Sequence, residues 1–348
     1  MKRNICMPAE WEHQSMVMLT WPHEDTDWLP YLAEITETYV EMADAITHYE
    51  QLIVATPHPI KVGALLSSRL SHDQMTRVYI CHCKTNDTWA RDHGPITLID
   101  RDSHKNTLLD FRFNGWGEKF EASLDNQITQ TLHKDGAFDT EKQGTPRLSD
   151  NDDFVLEGGS IESDGKGTIF TTEFCLLAPN RNQPLDKEEI EEELKHRLKA
   201  KRIVWLHHGQ LLGDDTDGHI DTTVRIAPND TLLYHHCYDK DDAQYSDFMS
   251  LEEELKALRT ADGKPYNLIP LPQPEAIYDD EERLPATYAN FLIINGAILV
   301  PTYGQSDNDK TACEAIARAF PDRKIIAIDS RTIIKQHGSI HCCTMQLY

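Results

Sequence analysis

Four short segments of the chain concentrate side chains able to act as nucleophile, acid, base or cation ligand. They are Asn86-Asp-Thr-Trp-Ala-Arg-Asp92-His-Gly-Pro95, Leu156-Glu157-Gly-Gly-Ser160, Asp214-Asp-Thr-Asp-Gly-His219-Ile-Asp221 and His337-Gly-Ser-Ile-His341-Cys342-Cys343-Thr344. Each contains Gly or Pro, which suits a loop at the end of a scaffold element, where catalytic groups are commonly carried. A thiol with a histidine is the minimal equipment for covalent catalysis, and carboxylates beside them can bind a cation or orient the histidine.

Each segment also has a plainer reading. A cysteine is most often a small buried hydrophobe. Asp92 beside Arg91 can form a loop salt bridge, and Glu157 before two glycines can cap a helix. The acidic spacing of Asp214 to Asp221 does not follow the calcium loop of an EF-hand. Cys81-His82-Cys83 and His341-Cys342-Cys343 place candidate zinc ligands on adjacent residues, whereas zinc sites separate paired ligands by two or more. Cys and His alone would also serve a cysteine protease, which leaves the aspartates unexplained.

The elements that must position these segments read as a mixed α/β protein. Leu32, Ile35, Tyr39, Met42 and Ile46 recur at helical spacing within Pro30 to His48. Asp186 and Glu189 form a capping-box start for a helix with Ile190, Leu194 and Leu198 on one face. Leu251, Leu255 and Leu258 mark another helix, and a last one runs from about Asp309 to Phe320, stopped by Pro321. Strands are expected at Met16–Thr20, Gln51–Ala55, Arg77–Cys81, Ile203–Leu206, Leu292–Ile294 and Ile325–Ile328. Thr140 to Asp153 and Ile277 to Pro285 read as turn-rich, and no fixed-period repeat is visible.

Composition narrows the function. With 58 acidic against 34 basic residues, the formal charge of −24 opposes nucleic acid and favours cationic partners. The longest apolar run, Phe291 to Pro301, is broken by Asn295 and Gly296 and falls short of the roughly 20 residues of a membrane span. No signal-peptide core follows Met1-Lys2-Arg3, so the expected location is cytoplasmic, with the eight cysteines reduced. A homo-oligomer is left open.

Taken together, the four segments resemble the agmatine deiminase family, which is similar to the bacterial-type peptidylarginine deiminases of the guanidine-modifying superfamily. Met7-Pro-Ala-Glu-Trp-Glu12, Trp21-Pro-His-Glu-Asp25, Thr171 to Asn182 and Asn295 to Pro301 extend the resemblance over nearly the whole chain. It implies one catalytic domain spanning residues 1–348 with a propeller-like α/β fold of pseudo-fivefold symmetry, the pentein fold. On matching positions it implies Cys342 as nucleophile, His219 as acid and base, Glu157 as the residue orienting that histidine, and Asp92 and Asp221 as the grip on a guanidinium. Trp89 would wall the substrate slot or serve the core. The adjacent Cys343 is the alternative nucleophile, though the Ile-His-Cys pattern matches Cys342.

The implied reaction converts agmatine to N-carbamoylputrescine and ammonia through an amidino adduct on Cys342. It requires no metal and no organic cofactor. The chemistry suits these residue types, because a planar guanidinium presents paired N–H groups that match carboxylate oxygens. Its resonance-stabilised carbon is a poor electrophile, so a thiolate held in line gains from proximity. Peptidyl or free arginine is the alternative substrate, with Arg181 or Arg225 as candidate partners for an α-carboxylate. A non-catalytic guanidine or polyamine binder is the alternative outside enzymes.

Overall fold

Apolar β-branched runs pair into several small sheets, and amphipathic helices cross between their strands. The computed structural model describes residues 4–140 and 144–348; the Met1-Lys2-Arg3 opening and residues 141–143 of the turn-rich stretch lie outside the described residues. One sheet has the order Thr344–Leu347, Met16–Thr20, Gln51–Thr56, Val78–His82. The first pair is antiparallel and the rest are parallel. Helix Leu32–Thr47 makes the crossover, burying Ile35, Tyr39, Met42 and Ile46 as their spacing predicts.

The same sequence of pairings, an antiparallel pair and then a parallel partner, recurs four more times among the described residues. Ile96–Asp100, Lys105–Arg112 and Arg147–Val155 form the next instance, with Ile5–Cys6 added at its edge. Ile161–Ser163, Thr168–Thr172 and Arg202–Leu206 follow, crossed by helix Lys187–Leu198. Val224–Ala227, Thr231–His236 and Asn267–Pro272 use helix Tyr245–Ala257. Leu292–Ile294, Ala297–Thr302 and Lys324–Asp329 use helix Ser306–Ala319. The crossover segments differ in length and composition, so this recurrence leaves no fixed period in the sequence.

Local signals explain most element ends. Asp186 accepts from the Glu189 backbone while the Glu189 side chain accepts from the Asp186 backbone, the capping box expected of that pair. Four expectations are corrected. Arg147–Val155, inside and just beyond the stretch read as turns, is a strand; it pairs only with Lys105–Arg112, and an edge position tolerates its polar side chains. Tyr278–Asp279 and Glu282–Arg283 form a two-stranded hairpin within the second such stretch. Leu258 lies beyond the end of its helix, in extended backbone, and the last helix starts at Ser306, earlier than Asp309. Among the described residues no helix is long and apolar enough to cross a membrane.

Candidate active site

The reactive segments fall at equivalent places in the five recurring units. Asp92 precedes the strand at Ile96, Glu157 that at Ile161, His219 and Asp221 that at Val224, and Cys342 that at Thr344. Asn290, before Leu292, occupies the corresponding place in the remaining unit. Sequence reasoning missed Asn290, because its signal is its position ahead of a unit, which is visible only once the units are aligned.

Cys342 is fixed from both sides. Its backbone N–H donates to Asn290 Oδ1 at 3.2 Å, and its carbonyl accepts from the Arg91 N–H at 3.1 Å. Its thiol lies 3.8 Å from Asp221 Oδ2. Burial, followed by the Asp221 and Asp92 charges, pushes the thiol well above its usual range. Without a cation beside it, the sulfur is therefore held as a thiol. Cys343 is also buried, and its thiol is pushed up to about 12 by burial. It does not line the cleft that ends on Cys342.

The two aspartates are buried and differently engaged. Asp92 Oδ1 accepts from the Gly159 N–H at 3.0 Å and Oδ2 from the Trp116 indole N–H at 2.9 Å. Burial pushes its carboxyl up to about 6, although the His219 charge pulls the other way. Asp221 Oδ2 accepts from His341 Nδ1 at 2.6 Å, while the buried Oδ1 has no hydrogen-bond partner in the protein. Burial is the largest influence on Asp221 and raises it, yet the His341 hydrogen bond and charge, with His219 and Arg225, hold it below the usual carboxylate range. One buried ionised oxygen is thus left open to a donor.

His219 Nδ1 stands 3.7 Å from Asp92 Oδ1 and the ring is fully buried. Glu157 and Cys175 bring ligand-type atoms within 4.8 Å of it and of each other, a set that could also hold a metal ion. Burial pushes the imidazole down, but Asp92, Cys175 and Glu157 together outweigh it and hold His219 well above the usual histidine range. Glu157 Oε1 is taken by Arg181 Nε at 2.8 Å, and neither its Oε2 nor either His219 ring nitrogen has a hydrogen-bond partner among the described residues, so Glu157 acts on the histidine by its charge. Arg181 also bonds Asp217 at 2.7 Å and the Thr216 carbonyl at 3.0 Å.

A cleft of about 510 Å³ leads to Cys342 and is lined by Asp27, Asp87, Asp92, Asp214 and Asp215, with Trp89, Trp116 and Phe120 as aromatic walls. Trp89 is a wall and a core residue at once: it packs against Trp28 and Trp116 at ring-centroid distances of 5.9 and 6.5 Å. Trp116 and the carboxylates of Asp27 and Asp87 are lining residues that sequence reasoning did not single out. Neither Arg181 nor Arg225 lines the cleft; both side chains are buried and engaged by carboxylates.

Gly159 permits the close approach of these groups. A Cβ there would stand 2.6 Å from His219 Nδ1, 2.9 Å from Asp92 Oδ1 and 3.1 Å from Asp221 Oδ2. Displacing three groups of one site by fractions of an ångström is costly, and Gly159→Ala is expected to lower kcat/KM by about 100-fold. Steady-state kinetics on folded variant, verified by circular dichroism, would check this; a loss below about threefold would show that the site tolerates the shift.

Several known proteins are similar to this chain along nearly its whole length. A structure from Porphyromonas gingivalis, provisionally assigned as an arginine deiminase, shares 48% identity with a TM-score of 0.91, covering 99% of this chain and 98% of that one. A C. jejuni agmatine deiminase solved with substrate bound shares 37% identity with a TM-score of 0.89, covering 99% and 96%. The agmatine deiminase of Medicago truncatula is 31% identical, covering 98% of this chain and 95% of its own length. The model of the Porphyromonas-type peptidyl-arginine deiminases matches residues 6–347, and the chain belongs to that family.

Proposed function

We propose that this chain hydrolyses agmatine to N-carbamoylputrescine and ammonia through a covalent adduct on Cys342. The observation that carries this reading is the cleft itself: it reaches a thiol that lies 3.8 Å from Asp221, and its lining holds five aspartates, Asp92 among them, and no arginine or lysine. Agmatine carries two positive charges and no carboxylate, so such a cleft attracts both of its ends. Free arginine would bring an α-carboxylate into the same acidic surroundings, and the two candidate arginines are committed elsewhere. The relatives named as agmatine deiminases support the same choice.

The guanidinium sits between Asp92 and Asp221, with Asp221 Oδ1 accepting an N–H. Its charge offsets the repulsion that Asp221 and Asp92 exert on a thiolate, so on substrate binding Cys342 releases its proton to solvent. The sulfur attacks the guanidino carbon and a C–S bond forms. His219 as imidazolium gives its proton to the departing nitrogen, the C–N bond breaks and ammonia leaves, which yields the S-alkylthiouronium adduct. His219, now neutral, takes a proton from water as it attacks that carbon. Collapse breaks the C–S bond as the hydroxyl proton of the adduct passes to sulfur, and releases the ureido product and the free thiol.

Asp92, Glu157, His219 with Asp221, Asn290 and Cys342 each precede the first strand of one recurring unit. We read this as a propeller-like arrangement of pseudo-fivefold symmetry about one central site, with the whole chain acting as a single catalytic unit. Parallel assays of ammonia and ureido product from agmatine, arginine and a short arginine peptide test the substrate. Agmatine is expected to exceed arginine in kcat/KM by about 100-fold or more, the cost of an unpaired buried carboxylate. Preference for the peptide or for arginine would overturn the substrate while leaving the chemistry.

A further inference from the structure

His341, next to the proposed nucleophile, points away from the cleft and has a carboxylate at each ring nitrogen. Nδ1 lies 2.6 Å from Asp221 Oδ2, and Nε2 lies 2.7 Å from Glu10 Oε1. The ring is fully buried. A neutral imidazole has one N–H and cannot donate to both. Resting on the deiminase reading, we infer that His341 is a positioning residue: as an imidazolium bonded at both nitrogens, it links Asp221 to a buried anchor at Glu10 and keeps the Asp221 carboxylate ionised and aimed at the guanidinium.

Glu10 is itself held as an anion. Its Oε2 accepts from Arg225 at 2.6 Å and from the Gln346 amide at 3.1 Å, and Arg91 stands 3.3 Å from Oε1. Arg225 bonds Glu162 as well, and Arg91 Nε donates to the His341 carbonyl at 3.4 Å. The charged groups packed around this interior are therefore Arg91, Arg225 and His341 against Glu10, Glu162 and Asp221, with the buried Tyr348 phenol beside Glu10. With Glu10, Glu162 and Asp221 all ionised, they balance when His341 carries its proton. On the cleft side, Asp221 faces His219, Asp92 and Cys342. Loss of the His341 charge would leave a buried surplus of carboxylate, which is relieved by protonating Asp221.

The test has two arms. In ligand-free protein with 15N-labelled histidine, the His341 ring, assigned through backbone connectivity, is expected to show both nitrogens protonated at pH 8. Glu10→Gln, which keeps the shape but removes the anchoring charge, is expected to populate the neutral form at that pH. In the second arm, the pH profile of kcat/KM for agmatine is compared among wild type, Glu10→Gln and His341→Asn. Asparagine retains a donor near the Nδ1 position and loses both the charge and the Glu10 bond. The acid limb is expected to move up by about one pH unit in His341→Asn, where the carboxylate surplus makes Asp221 rather than Asp92 the last to ionise, with KM rising more than kcat falls. It is expected to stay in place in Glu10→Gln, where the charge lost at His341 is matched by the charge removed at Glu10. A purely structural role would lower thermal stability without moving that limb.

A wild-type His341 that is singly protonated at pH 8, or an acid limb unmoved in His341→Asn, would overturn the inference. The ring-nitrogen state in wild type and Glu10→Gln carries the test if His341→Asn does not fold. Failure of wild type to consume agmatine would refute the proposed reaction, whereas the ring-nitrogen measurement stands apart from turnover.

Discussion

Replacing Cys342 with serine is expected to reduce agmatine turnover by a factor on the order of 10⁴ or more, while agmatine still binds. A hydroxyl in this position meets the same two carboxylates that disfavour the thiolate, and its own ionisation is far more costly. The carboxylates that hold the guanidinium remain, so calorimetric titration should give a dissociation constant within about tenfold of the wild-type KM, on the premise that binding contacts are unchanged. Cys343→Ser is the control. That side chain is buried behind the nucleophile and away from the cleft lining. Its loss should change kcat by less than about tenfold, as a conservative core substitution. Equal losses in both variants would leave the choice of nucleophile unsupported.

His219→Asn is expected to cost a factor of about 10³ in kcat, within the usual range for removing a general acid and base. Two proton transfers depend on the same ring, so both formation and hydrolysis of the adduct should slow. The pH profile separates this role from a packing role. Asp92 is held at about 6, so as pH falls through that value its carboxylate is protonated and the grip on the guanidinium weakens, which gives kcat/KM an acid limb near pH 6. His219 is held above the usual histidine range, so it loses its proton only at higher pH, and with it the ability to assist ammonia departure. His219→Asn should move the acid limb up, because the His219 charge that lowers Asp92 is gone, and lose the contribution of the histidine to the alkaline one. Retention of an unchanged alkaline limb would assign that limb to another group.

Much of the reactive core was legible in the sequence, because the segments carrying Asp92, Glu157, His219, Asp221 and Cys342 are short and each is rich in chemically unusual residues. The structure brings these side chains to one buried place, from turns that precede successive units. What the sequence did not disclose depends on contacts between distant segments. Asn290 clamps the Cys342 backbone from 52 residues away, and Glu10 reaches His341 across a separation of 331. Neither residue type is distinctive, and no local pattern announces either pairing. The commitment of Arg181 and Arg225 to Glu157, Asp217, Glu10 and Glu162 was equally hidden, since a long flexible side chain near a motif does not reveal which carboxylate it will meet.

The fold shows the same division. Strands buried on both faces, such as Met16–Thr20, are unbroken apolar runs and could be read directly. Arg147–Val155 is polar and alternates irregularly, because one neighbour along its edge supplies its hydrogen bonds. The recurrence of five pairings is a property of hydrogen-bond topology, which constrains strand order and leaves helix length and loop composition free. Sequence spacing therefore carried no trace of it.

The most direct test is to mix the enzyme with agmatine, quench with acid within a turnover, and map the adduct by mass spectrometry. The mechanism predicts a transient addition equal to agmatine less one ammonia, confined to the peptide containing Cys342 and Cys343 and assigned by fragmentation to Cys342. Turnover of agmatine with no covalent adduct under any quench time, or an adduct on Cys343, would contradict it.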